Sequence, residues 1–162
     1  MPISSVYHAL SSGQTESAEN IWGDEIPYLK PVSSESDKLA NDYISTAVFN
    51  AEELKEKLKK EITLTGDPSN YFGECVRTSS GTVKSIDVCS KSLSGAELRN
   101  LLDLRSANFE VNFQGDNFTF TTYGYGHGVG MSQYGANAMA KQGNNFKEIL
   151  THYYSGCKIK KQ

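Results

Sequence analysis

Apolar and polar positions along the chain alternate between two spacings, and each change of spacing marks an element. Residues 3–10 read as a short strand, followed by the polar loop Ser11-Ser12-Gly13-Gln14-Thr15-Glu16-Ser17. Residues 18–37 read as irregular, because Pro27 and Pro31 forbid a long helix there. Residues 41–49 are β-branched and aromatic enough for a strand. A helix then starts at Asn50, with Glu53 at the third helical position, a reciprocal cap, and Phe49 stapling to Leu54. Leu54 and Leu58 supply its buried stripe, and the lysines and glutamates between them form a solvated face. Residues 75–90 predict a hairpin turning at Ser80-Gly81. Ser94 and Glu97 cap a second helix stapled by Leu93 and Leu98, with Leu101 and Leu102 on its apolar side. Residues 109–113 and 117–123 form a hairpin around Gly115-Asp116.

The segment 123–136 breaks this pattern. Glycine occupies 124, 126, 128 and 130, a period of two, which in an extended chain leaves one face bare and sets Tyr123, Tyr125, His127, Val129 and Met131 on the other. Each glycine costs about 0.5–1 kcal/mol of backbone entropy. A bare backbone is therefore required there, by close packing of another segment, by unusual φ angles, or by a ligand lying on it. Ser132 caps a following helix and Gly143 closes it. Asn145 and Glu148 cap a last helix whose Phe146, Ile149, Leu150 and Tyr153 face a core, with Gly156 as its stop. The order of elements lacks regular βαβ spacing. It predicts an α+β fold of mixed short strands and hairpins with three to four capped helices, and a glycine-rich strand leading into a helix.

Composition adds mainly exclusions. A chain of 162 residues, 38% hydrophobic and 22% charged, is long enough to bury a core without disulfide staples. The net charge of -3 argues against a nucleic-acid partner. Mean hydropathy is -0.48, and no apolar run approaches membrane-spanning length. Three cysteines, at 75, 89 and 157, fit neither a disulfide framework nor a zinc cluster; they read as isolated thiols, with Cys75–Cys89 able to close only if the hairpin aligns them. The glycine segment matches neither phosphate-loop pattern, and no metal or other cofactor is expected of this chain. The N-terminus has no basic or apolar leader pattern and enters directly on a strand, as expected of a piece of something longer.

The run Tyr125-Gly-His-Gly-Val-Gly-Met-Ser-Gln-Tyr-Gly-Ala136, with Met139-Ala140, Gly143, Ile149-Leu150 and Tyr153-Tyr154 after it, resembles the C-terminal signature of the stage II sporulation protein D family. Three other stretches agree: Tyr7-His8 with Ser11 to Glu16, Trp22-Gly23 with Pro27-Tyr28-Leu29, and Ser94 to Arg99 with Leu104-Arg105-Ser106 and Phe109. The resemblance runs from about residue 3 to residue 159. It implies a peptidoglycan enzyme: a lytic transglycosylase that cuts glycan strands stripped of stem peptides during engulfment of the forespore. It also implies an extracytoplasmic, membrane-associated setting. The partners it implies are glycan strands, a cell-wall amidase and a membrane anchor protein. A related branch enhances amidases.

The family's catalytic glutamate, and the Cys/His zinc cluster of some members, lie N-terminal to the matching region, so the resemblance implies that residues 1–162 are the C-terminal portion of such a domain, with no catalytic acid and no metal ligand of their own. What remains is a substrate-binding wall. Ser11, Ser12 and Thr15 are candidate cleft hydroxyls or an ordinary polar turn. Glu16 is a substrate-binding acid or a loop residue satisfied by backbone N–H groups. His127 lines the cleft or holds the backbone, and Gly128, Gln133 and Tyr134 complete the set. His8 and His152 read as structural. The other reading is a catalytically silent glycan-binding or amidase-activating module.

Overall fold

The computed structural model describes residues 1–160. In chain order it contains β1 (Tyr7–His8), α1 (Ala18–Trp22), a 3-10 turn (Glu35–Leu39), β2 (Ile44–Asn50) and α2 (Ala51–Leu58). A second 3-10 turn (Pro68–Asn70), β3 (Phe72–Arg77), β4 (Val83–Val88), β5 (Lys91–Leu93) and α3 (Gly95–Leu102) follow. The chain ends with β6 (Phe109–Gln114), β7 (Asn117–Tyr123), β8 (Met131–Ser132), α4 (Gln133–Lys141) and α5 (Phe146–Tyr153). The fold is mixed α+β, as the pattern predicted.

The chain divides into two compact units, Ile44–Tyr123 and a discontinuous one joining Met1–Tyr43 to the chain from Gly124 onward. In the continuous unit the sheets β2-β7-β6 and β3-β4-β5 are both antiparallel. Alternation places Phe118, Phe120 and Thr122 of β7 inward. The two phenylalanines pack with Leu54 and Leu58 of α2, Leu98 and Leu102 of α3, and Ile86 and Val88 of β4. The Tyr71 and Phe118 rings stack with centroids 5.7 Å apart. The β3–β4 and β6–β7 hairpins lie where the sequence set them.

All three predicted reciprocal caps are present: Asn50 with Glu53, Ser94 with Glu97, Asn145 with Glu148. At α3 the Ser94 N–H donates to Glu97 Oε2 at 2.7 Å, and the Glu97 N–H donates to Ser94 Oγ at 3.1 Å. The Ser94 N–H and hydroxyl together hold the Glu97 carboxyl below the usual carboxylate range.

Three expectations need correction. Residues 18–37 are not wholly irregular: Ser17 accepts the Asn20 N–H, and Gly23 at φ +86° ends a five-residue helix before Pro27 can interfere. The glycine segment is not an extended strand, since all four glycines have positive φ, from +77° to +109°, and only Met131–Ser132 pairs as a strand. Phe146, the first residue of α5, is 61% exposed, because a side chain in the first turn has no turn behind it to lie over. The three cysteines are free, as the isolated-thiol reading expected: register pairs Cys75 with Ile86, and Cys89 lies beyond the end of β4.

Replacing Ser94 by Ala removes an acceptor from an orphan N–H of α3, and the expected loss is about 1 kcal/mol. The urea midpoint of the Ser94→Ala variant measures it; a midpoint equal to the parent's would place the start of α3 elsewhere.

Candidate functional site

The discontinuous unit is assembled by threading the glycine segment against residues 6–16. Leu10 and Tyr125 exchange backbone hydrogen bonds of 3.0 and 2.8 Å. The Glu16 N–H donates to Gly128 O at 2.8 Å, and β1 pairs in parallel with β8, Tyr7 opposite Met131 and His8 opposite Ser132. These contacts explain the glycines. A Cβ on Gly130, at φ +77°, would fall inside the Val6 carbonyl, and one on Gly124 would lie 2.9 Å from the backbone of Leu10 and Ser11. Of the three requirements weighed for a bare backbone, two are met together: close packing and left-handed φ.

Val129 is fully buried at the centre of this weave. Its N–H donates to Nδ1 of His127 at 3.0 Å, and its carbonyl lies 3.1 Å from Nδ1 of His8. A carbonyl only accepts, so His8 carries its proton on Nδ1; an N–H only donates, so His127 carries a lone pair on Nδ1. The two imidazoles approach edge to face, 5.7 Å between centroids. His8 is 4% exposed, and its Nε2 is buried without a partner among the described residues. Burial pushes its pKa down to about 4; the hydrogen bond to Val129 opposes this and His127 adds to it. The structural reading of His8 therefore holds.

The His127 ring also meets Trp22, 5.4 Å between ring centroids, at the end of α1 and 45% exposed. Glu16 lies beneath the same segment, 2% exposed, its Oε1 accepting from the Ser17 N–H at 2.9 Å and from Asn20 Nδ2 at 2.8 Å. It thus meets a backbone N–H at the start of α1. Gly128 lies beside it, 3.5 Å separating the Glu16 Cβ from the place a Gly128 Cβ would take.

The candidate hydroxyls divide. Ser11 is 1% exposed, and its Oγ accepts the Gly13 N–H at 3.1 Å. Thr15 is equally buried; its Oγ1 accepts the Val32 N–H at 2.9 Å. Both hold the loop in shape. Ser12 is half-buried, and its carbonyl accepts the Tyr43 hydroxyl at 2.9 Å. Gln133 and Tyr134, in the first turn of α4, are exposed, and the Tyr134 N–H donates to Ala9 O at 3.2 Å. His152 is bound through Nε2 to Ser33 O at 2.8 Å.

Two residues outside the candidate set are central. Trp22 was noted only within the family-like stretch Trp22-Gly23, with no role of its own. Asp37 sits in a Ser-rich run that resembles any surface turn, yet it is fully buried, its Oδ2 accepting the Ser11 N–H at 2.7 Å. Near it the Ser34 and Tyr153 hydroxyls are bonded at 2.8 Å, and all three groups border the position where Gly135 lacks a side chain. Burial raises the Tyr153 hydroxyl pKa, against the opposing hydrogen bond with Ser34. The loop of Ser11 and the first turn of α4 are thereby locked to one buried polar cluster. Among the described residues no group of three or more His, Cys, Asp or Glu is placed to hold a metal ion. A hollow of about 470 Å³ in the continuous unit, lined by Phe72, Phe109, Phe113 and Phe118 with Arg77 and Glu110, shares no residue with this constellation.

Comparison with known proteins agrees with the resemblance. No family model matches the chain. It is 43% identical over 159 residues to stage II sporulation protein D of Bacillus amyloliquefaciens, and 42% identical to that of Bacillus subtilis, in each case across 98% of this chain. It is 24% identical, across 97% of its length, to an amidase enhancer of Bacillus subtilis. The chain is thus related along nearly its whole length to stage II sporulation protein D, as the glycine-rich motif implied. It spans 45% of the length of those two relatives.

Two outcomes test the weave. Gly130→Ala is expected to lose about 2 kcal/mol or more, from left-handed strain plus the backbone clash. Gly143→Ala, also at positive φ but with nothing near, should lose only the strain; equal losses in thermal unfolding would refute the close packing. The folded protein keeps His8 neutral to about pH 4, while an unfolded chain protonates it near 6.5. Its contribution is intact above pH 6.5 and falls through the window down to about 4, a loss of about 3 kcal/mol. Urea titrations at intervals across that window should show a steeper fall for the parent than for His8→Asn; parallel profiles would assign the acid sensitivity to other groups.

Proposed function

We propose that this chain forms the glycan-binding wall of a sporulation-type lytic transglycosylase acting on peptidoglycan, and that it binds glycan without itself supplying the proton donor. The observation that carries the reading is the convergence of the family-like stretches on one weave: the Ser11 loop, Trp22 and the glycine segment meet around Val129. The chemistry asks for one carboxylic acid that protonates the glycosidic oxygen and then takes a proton from the sugar's own hydroxyl, so that no water enters. Glu16 is poorly suited to that task. It is buried, and one of its oxygens already accepts two N–H groups. We therefore assign the acid to the part of the relatives that this chain does not match. The chain needs no metal for the binding role. Its partners in the cell, on this reading, are denuded glycan strands, with an amidase and a membrane anchor protein alongside, in an extracytoplasmic setting. Among the described residues no helix is long and apolar enough to cross a membrane.

A second reading, an amidase-activating glycan-binding module, rests on the similarity to the amidase enhancer. It differs in its readout: release of stem peptides by an added amidase would rise with the chain present.

The deciding assay is mass spectrometry of amidase-treated sacculi incubated with the chain, beside a sacculus pull-down. Binding without anhydro-ended fragments is expected, since loss of proton donation alone lowers the rate about 10²–10⁴-fold. Anhydro-ended fragments that vanish in Glu16→Gln would make Glu16 the acid and overturn the assignment. Absence of both cleavage and binding would remove the glycan reading.

A further inference from the structure

We infer that Trp22 is a stacking platform for an uncharged N-acetylhexosamine ring, and that it discriminates against carboxylate-bearing sugars. The inference rests on the glycan reading above and adds a subsite and its selectivity. An exposed tryptophan ordinarily moves through several rotamers. This one is held: its ring lies 5.4 Å from His127, and the His127 ring is fixed by the Val129 N–H, from a residue with no exposure at all. The backbone beneath it is fixed too, because α1 ends at Trp22 with the Gly23 N–H donating to Glu19 O at 3.0 Å. A large ring, 45% exposed yet oriented by a buried scaffold, has its ordering cost met before any ligand arrives.

The chemistry of the surroundings selects the occupant. One face of a pyranose is lined by C–H groups and matches an indole face, while an acetamido carbonyl matches an indole N–H, which donates to no described residue here. Charged ligands are disfavoured. Glu19, one helical turn before Trp22, and Asp24 and Glu25 just after it are all exposed acids. His127 brings no compensating cation in this geometry, since its Nδ1 accepts the Val129 N–H. An N-acetylglucosamine residue fits that field. The lactyl carboxylate of a muramic acid is repelled, which would set the register of an alternating strand with the neutral sugar on Trp22.

Trp22 is the chain's one tryptophan, so its emission reports on this position alone. The parent chain is titrated with a β-1,4-linked N-acetylglucosamine tetramer and, separately, with an oligogalacturonate of equal length. Calorimetry follows the tetramer on parent, Trp22→Phe and Trp22→Ala. The expected results are a saturable emission shift with the tetramer and none with the oligogalacturonate, a loss of about tenfold or more in affinity for Trp22→Ala, and a smaller loss for Trp22→Phe, which keeps a flat apolar face. Trp22→Ala should melt with the parent, as its ring is outside the core clusters. Undiminished tetramer binding by a folded Trp22→Ala overturns the platform. An equal response to the oligogalacturonate overturns its selectivity. Sacculus binding without an emission change in the parent overturns the platform while leaving the glycan reading intact, whereas no binding to sacculi or tetramer overturns both.

Discussion

The peptide groups of Val129 organise the discontinuous unit. One N–H and one carbonyl, on a residue with no exposure, orient two imidazoles, and the neighbouring Gly128 carbonyl receives the Glu16 N–H. Such contacts require the backbone of 124–132 to lie directly against that of 6–16. Side chains at 124 and 130 would keep the two apart. The glycines thus carry an entropic cost that is offset by hydrogen bonds which no β-carbon-bearing segment could make. Those bonds link residues more than a hundred positions apart in sequence. The chain leaves this unit after Tyr43 and returns at Gly124, whose N–H donates to Tyr43 O at 2.8 Å, so the intervening eighty residues fold as their own unit without stretching the weave.

A buried histidine with an unpartnered Nε2 is a liability in such a setting. It is tolerated because Nδ1 is bonded and because burial keeps the ring neutral at ordinary pH. The same holds for Asp37, whose one bonded oxygen fixes the Ser11 N–H while the other lacks a described partner. Both groups immobilise a loop that carries polar side chains. Such positions are where stability is commonly yielded for a fixed geometry. That pattern fits a surface built to present an oriented face more than it fits a core built only to be stable.

What could be read from the sequence follows from the range of the interactions. The caps at Asn50, Ser94 and Asn145 were legible because an N-cap and its third-position acid are three residues apart and answer to local chemistry. The two hairpins were legible from Ser80-Gly81 and Gly115-Asp116, whose glycines both have positive φ. The glycine segment was recognised as special but given the wrong conformation, because period two suits an extended strand and a run of alternating left-handed turns equally well. The arbiter was the carbonyl of Val6, which is far away in sequence. β5, three residues long, carries too little pattern to register. At the site, His127 was flagged by its glycines. Trp22 entered only within a family-like stretch and Asp37 not at all, since an aromatic ring becomes informative only through what holds it, and an aspartate only through the N–H it meets 26 residues away.

These constraints bear on how a binding wall and a proton donor divide the work in a glycan-cleaving enzyme. A donor must keep a proton near neutral pH and release it within one step, so its surroundings must be apolar and its geometry responsive. A binding wall needs the opposite: acceptors and donors fixed in advance, with titration moved out of the working range. On the reading proposed above, the residues that meet around Val129 are of the second kind. His8 is held neutral to about pH 4, and Glu16 is engaged by two N–H groups. Trp22 does not titrate at all. Held neutral down to about pH 4, His8 keeps its hydrogen bond to the Val129 carbonyl across the pH range in which a nearby acid must change state. On the same proposed reading, such a surface complements a catalytic acid rather than replacing one.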